Sequence, residues 1–177
     1  MKAISIQQPY AYLIVNGYKD IENRDWDTSY RGFVLIHAGK KLDADIINTM
    51  TGQWMQQTMP DHWKAAWEAM PERSADFPTG GIVGYATLKE VVTNHTSPWF
   101  RGKYGFVLTQ RHTVPLIPLR GHLGLFDVPA EIEALINEIR DQRFWESETK
   151  EQAQIAKEWY DYRHEGDETP PRNRQFI

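Results

Sequence analysis

The chain has 177 residues, a length suited to one domain with a sizeable core, and 41% of them are apolar, which excludes a disordered composition. It has no cysteine, so disulfides, thiol catalysis and cysteine-ligated zinc are excluded. The net charge of −4 is uneven: residues 1–130 hold 13 basic and 12 acidic side chains, residues 131–177 hold 7 and 12, so the body is near neutral and favours a compact site over a long basic track.

Gln8-Pro9 followed by Tyr10, Leu13 and Ile14 and then Gly17 predicts a short helix, with proline at its start and glycine just past its end. Gly32–Ala38 is a β-branched and aromatic run of strand type. Leu42, Ile46 and Met50 lie four apart, the stripe of a helix over 41–51. Asp61 after Pro60 is placed to cap a second helix with Trp63, Trp67 and Met70 on its inner face. Gly80-Gly81 is a turn before a strand over Ile82–Val92. Further strands are expected at Lys103–Thr109, at Val114–Leu119, whose two prolines mark an edge or irregular strand, and at Leu123–Val128. Pro129 begins a helix with Ile132, Leu135, Ile136 and Ile139 inside, and Ile155, Trp159 and Tyr162 form a further stripe. Residues 165–177, polar and carrying Pro170-Pro171, read as a loose tail. Four or five short strands with helices at the start, middle and end predict an α+β fold built on a small β-barrel over 1–130, with a helical extension over 131–177 packed on it.

No stretch approaches the roughly 18 apolar residues that span a bilayer. The first twenty residues show no signal-peptide pattern, so a soluble, cytoplasmic protein without a membrane partner is expected. The histidines (His37, His62, His95, His112, His122 and His164) form no i,i+4 pair, and no phosphate- or dinucleotide-binding glycine motif occurs, so neither metal nor cofactor is expected.

Chemistry concentrates between Gly17 and Trp26. On an extended segment alternate residues share a face, so Glu22, Arg24 and Trp26 point together and Lys19 joins them from the preceding turn, predicting one solvent-accessible pocket. A carboxylate accepts from exocyclic amines, a guanidinium donates in pairs and an indole stacks, which suits a nucleobase. The plain alternative is a structural ion pair between Glu22 and Arg24 and a core Trp26. Tyr30 and Arg31 are candidates for the cleft rim. His37, at the end of an apolar strand, is either a ligand group or a hydrogen-bonded structural histidine. Gln8 and Pro9 open the first helix, where backbone amides favour an anion, and Trp99 either stacks on a base or covers the barrel mouth.

Gly17-x-Lys19-x-x-Glu22-x-Arg24 resembles the GxKxxExR signature of the ASCH family, a PUA-like group of β-barrel proteins. Ser5–Tyr10, Tyr30–Gly32, Leu35–Ala38, Gly81–Gly84, Ser97–Phe100, Tyr104–Leu108 and Gly121–Phe126 resemble its further blocks, in family order, over about residues 1–130. The resemblance implies an RNA-related role with the motif lining a cleft beside the barrel. Some relatives are hydrolases, either amidohydrolases acting on acetylcytidine or ribonuclease-like. In the amidohydrolases a lysine and a hydroxyl residue of the motif cooperate with a separate glutamate. Lys19 matches the lysine, but Glu22 stands where the hydroxyl is expected. A lysine of ordinary pKa, about 10.4, is protonated at neutral pH and is no nucleophile.

Three readings remain. The first is a module that binds RNA, a nucleotide or a modified nucleoside. The second is a small hydrolase with Lys19 and Glu22 as its catalytic groups, and the third a protein-interaction module using the acidic C-terminal helices.

Overall fold

The computed structural model describes residues 1–43 and 60–164. They fall into two compact units, Met1–Pro129 and Ala130–Ile177. In the first unit β1 (Lys2–Gln8) leads into a short α1 (Tyr10–Val15), followed by β2 (Ile21–Arg24) and β3 (Gly32–Leu42). Then come α2 (Asp61–Ala69), a single 3-10 turn (Ser74–Asp76), β4 (Gly81–Val92), β5 (Tyr104–Pro118) and β6 (Leu125–Asp127). The helix predicted over 41–51 falls largely outside the described residues; its first apolar residue, Leu42, ends β3.

The strands form one six-stranded sheet in the order β2-β5-β4-β3-β1-β6. Only β1 and β3 run parallel among its pairs. This is the expected α+β class, with a sheet whose end strands β2 and β6 share no backbone pairing among the described residues. A side chain nonetheless links β2 to β1: Arg24 donates through Nη2 to the Ser5 carbonyl at 2.6 Å. Ser5 can accept it because β6 is short. The β1–β6 register ends at Ile4↔Leu125, one residue earlier.

β1 was not expected as a strand. β5 is one strand where two were predicted. The gap at 110–113 is a bulge, across which Thr87 pairs with Thr109 and Tyr85 with His112, and Gln110 takes a left-handed φ of 47°. Its prolines obey the edge rule: β2 covers only Tyr104–Val107, so Pro115 and Pro118 sit where β5 has one neighbour.

Alternation divides the sheet faces. Ile4 and Ile6 of β1, Val34, Ile36 and Ala38 of β3, Val83, Ala86 and Leu88 of β4, and Phe106 and Leu108 of β5 fill one core cluster with Ala11, Ile14 and Val15 of α1. α1 packs so closely that a side chain at Gly84 would sit 2.5 Å from Val15 Cγ1 and 2.2 Å from the His112 carbonyl oxygen. A second cluster joins Leu13, Ile21, Ala66, Met70, Phe77, Trp99 and Val107, with Trp63 and Trp67 of α2 against it. The predicted inner face of α2 is thus found. Asp61, however, is the first helical residue rather than the cap, and its carboxylate accepts from Lys64 Nζ at 2.8 Å. Gly17, at φ +87°, ends α1 as expected.

In the second unit the two predicted C-terminal stripes belong to one continuous helix, α3 (Ala130–His164). Ile136 is buried and Ile132 and Ile139 partly so, but Leu135 is 39% exposed. At about 100° per residue, Leu135 lies roughly 60° from the centre of the stripe set by the other three, at its edge. The side chains of Ile155, Trp159 and Tyr162, and the tail over 165–177, lie outside the described residues. Among the described residues no helix is long and apolar enough to cross a membrane.

Candidate functional site

After Gly17 the chain turns so that Tyr18 and Lys19 both donate their amides to the Leu13 carbonyl, at 2.9 and 3.1 Å. This swings the Lys19 side chain back toward β2. Within β2, Ile21 enters the second core cluster while Glu22 and Arg24 take the other face. The result is a chain of charge. Lys19 Nζ lies 2.9 Å from Glu22 Oε2, and Arg24 Nη2 lies 3.3 Å from Glu22 Oε1. Lys19 Nζ also donates to the Ile21 carbonyl and lies 5.5 Å from the Tyr10 ring centroid.

The three charged side chains therefore meet in an ion-pair chain rather than around an accessible pocket, and two of them are barely exposed. Lys19 is 2% exposed and Glu22 9%. Tyr10 lies over the ammonium, and the Glu22 carboxylate and the Ile21 carbonyl take two of its three N–H donors. Arg24 is the group with open side-chain surface, at 20%. Its Nη2 is used by Ser5 and Glu22, whereas its Nε is buried with no hydrogen-bond partner among the described residues. A buried N–H without a partner is costly, and a ligand acceptor is one way to satisfy it.

Three further residues surround this chain and were not singled out from the sequence. Burial pushes the Tyr10 hydroxyl up to about 12, helped by the charges of Asp43 and Glu22 and by its hydrogen bond with Asp43, while Arg101 acts in the opposite direction. Tyr10 closes the quoted block Ser5–Tyr10 and Arg101 directly follows Ser97–Phe100, and the blocks themselves were the available signal. Asp43 follows no motif; its amide donates to the Gln8 carbonyl at 2.8 Å, and that contact brings it here.

The other candidates divide. Trp26 lies past the end of β2 and packs edge-on against Phe106, ring centroids 4.9 Å apart, at the border of the first cluster. Tyr30 packs on the same cluster and donates its hydroxyl to the Phe33 carbonyl. Arg31 is exposed and bonds the carbonyls of Thr28 and Tyr30, each at 2.7 Å. Gln8 is fully buried: its Oε1 accepts the Tyr12 amide at 2.9 Å and its Nε2 donates to the Pro78 carbonyl at 2.7 Å. Gln8 thereby occupies the first turn of α1, and Pro9 supplies the carbonyl that receives the Leu13 amide at 3.0 Å. Trp99 is buried against Trp63, with centroids 4.4 Å apart, although its carbonyl accepts from Asn23 Nδ2 between Glu22 and Arg24. His37 stands on the sheet face opposite the first cluster, its Nδ1 3.2 Å from Ser5 Oγ and its Nε2 2.9 Å from the Leu119 carbonyl oxygen.

The sequence model of the ASCH domain matches residues 4–166. The chain belongs to the ASCH domain family. The match continues through α3, beyond the point near residue 130 where the recognisable blocks end. Among solved structures the ASCH chain is similar to the crystal structure of ASCH from Zymomonas mobilis, at 15% identity over 77% of this chain and 93% of that one, with a TM-score of 0.44. It is similar also to two mutants of that protein, at 15% and 14% identity over 77% and 78% of this chain and 96% and 94% of theirs, with TM-scores of 0.45 and 0.46. No curated protein matches the sequence.

Proposed function

We propose that this ASCH domain binds RNA, a nucleotide or a modified nucleoside at the Lys19–Glu22–Arg24 chain, with Arg24 as the ligand-facing donor. The observation that carries this reading is the part-open guanidinium of Arg24, 20% exposed at the end of an otherwise buried ion chain. In this arrangement Lys19 and Glu22 are positioning residues. The ammonium fixes one carboxylate oxygen at 2.9 Å, and the other oxygen steadies the guanidinium at 3.3 Å. Tyr10, Trp26 and Arg101 supply ring surface and a second cation beside it.

Binding is favoured over hydrolysis because Lys19 is sealed from solvent and already donates to Ile21 and Glu22. A nucleophile or general base needs reach to the reacting atom. The test is incubation with short RNAs and with acylated cytidines. The expected result is saturable binding without product; product that disappears in Lys19→Ala would establish the hydrolase instead. A protein partner on α3 is the second reading, supported by Phe144 and Trp145, both more than half exposed. It predicts that Trp145→Ser abolishes a pull-down partner and leaves RNA binding intact.

A further inference from the structure

Behind the motif, across β1, lies a second cleft. Ile4 and Ile6 point into the first core cluster, so Ser5 between them faces the other way, as does its β3 partner His37 between Ile36 and Ala38. The loop after β5 arches over this pair: a Cβ on Gly121 would lie 2.5 Å from His37 Cε1 and 2.6 Å from Ser5 Oγ. Beside them opens a cavity of about 1030 Å³, bounded by the end of β3, the Gly80 turn and residues 118–123.

The charge around this cavity is one-sided. Lys40, Arg120 and His122 line it, and none of the described residues lining it is acidic. Lys40 and Arg120 are exposed and have no ion-pair or hydrogen-bond partner among the described residues. The stem of Lys40 lies along Gly80, where a Cβ would meet Lys40 Cε at 3.4 Å, so the glycine gives the side chain its bed. The His122 ring leans on Phe126 with centroids 5.2 Å apart, leaving the residue exposed beside the cations. Cations in a concave site with no carboxylate to answer them focus positive potential on whatever enters.

We propose that this cleft binds the phosphate group of a nucleotide between Lys40 and Arg120. Arg120 offers the planar fork that matches phosphate oxygens, and Lys40 adds a point charge. Ser5 stands between the two sites. Its hydroxyl forms part of this cleft's floor, while its carbonyl holds Arg24 on the motif side. The phosphate rests on the cleft alone, whereas the choice of a nucleotide as its bearer rests on the function proposed above.

Isothermal titration with cytidine, cytidine 5′-monophosphate, the cytidine dinucleotide and inorganic pyrophosphate tests it, on the wild type and on Lys40→Ala/Arg120→Ala. Both substituted residues are exposed, so the variant retains the fold. In the wild type the monophosphate or the dinucleotide binds about 10-fold or more tightly than cytidine. Which of the two gains tells a terminal phosphate from a bridging one. In the double variant that gain disappears, together with pyrophosphate binding, while cytidine affinity is unchanged. A phosphate gain that survives the double substitution, or no phosphate-dependent binding by any probe, overturns the proposal. Failure of cytidine alone, with pyrophosphate still captured by Lys40 and Arg120, counts against the motif site and not against this cleft.

Discussion

Replacing Glu22 by Gln removes the carboxylate that two cations share while keeping its shape. Lys19, 2% exposed, would be left as a buried ammonium with only the Ile21 carbonyl and the Tyr10 ring for support. Removing one partner of a buried pair costs about 3–5 kcal/mol, because the remaining charge stays desolvated, whereas an exposed pair costs about 0–1 kcal/mol. Exposures of 9% for Glu22 and 2% for Lys19 put the pair in the first class. For a chain of this length each kcal/mol moves the melting temperature by about 2–4 °C, so Glu22→Gln should lower it by roughly 6–20 °C. Urea unfolding of Glu22→Gln, Lys19→Met and the double variant measures the coupling. The double variant should recover much of the loss, since the sealed Lys19 ammonium is gone and the remaining cation, Arg24, keeps 20% of its side chain in solvent. A loss below about 1 kcal/mol, or strict additivity of the two substitutions, would refute the buried-triad account.

Three other outcomes follow from the geometry. Gly84→Ala should destabilise the fold by about 1–3 kcal/mol or more, because its Cβ would overlap the His112 carbonyl and Val15; chemical denaturation reads this, and a neutral result would mean that α1 does not press on β4 as described. Gly121→Ala should displace the loop from His37 and Ser5, which the His37 ring resonances in an NMR spectrum would report as a shift absent from Gly102→Ala, where a Cβ meets nothing. Tyr10 should titrate near 12, so the phenolate absorbance step missing from Tyr10→Phe lies there and not near 10. Because the folded-state value is raised, the stability it contributes is present below the unfolded value of about 10 and is lost as pH climbs through 12.

The sequence made the site more legible than its surroundings, for a local reason. Glu22 and Arg24 lie two apart on a strand, and strand geometry alone puts them on one face. That Lys19 would be sealed beneath Tyr10 depends on how α1 meets β2, which no spacing reveals. The sheet follows the same division. β3 and β4 declare themselves through apolar runs. β1 carries a mixed pattern, KAISIQQ, and exists as a strand because it pairs in parallel with β3, some thirty residues on. The break predicted near Gln110 marks a real irregularity, but hydrogen bonding to β4 carries β5 through it. Trp99 and Gln8 have the side-chain chemistry of ligand groups and the burial of core residues, a distinction that only packing makes. The Lys40–Arg120 cleft draws its lining from β1, β3 and two loops far apart in sequence, so it has no signature in the chain.

The central claim is that the motif presents Arg24 to a nucleic-acid ligand, and the salt dependence of binding tests it most directly. A short single-stranded RNA is titrated against the wild type and Arg24→Gln over a range of ionic strength, with the fold of the variant checked by circular dichroism. Each phosphate contacted contributes a slope of about −0.7 in log affinity against log salt, so the few cations near the motif predict a shallow slope on the order of −1 to −3. Arg24→Gln should weaken binding by about 10-fold or more at every salt concentration, because it removes a buried, charge-assisted donor. An Arg24→Gln protein that binds as tightly as the wild type, or a wild-type slope near about −6, the mark of a long basic track, would contradict the account.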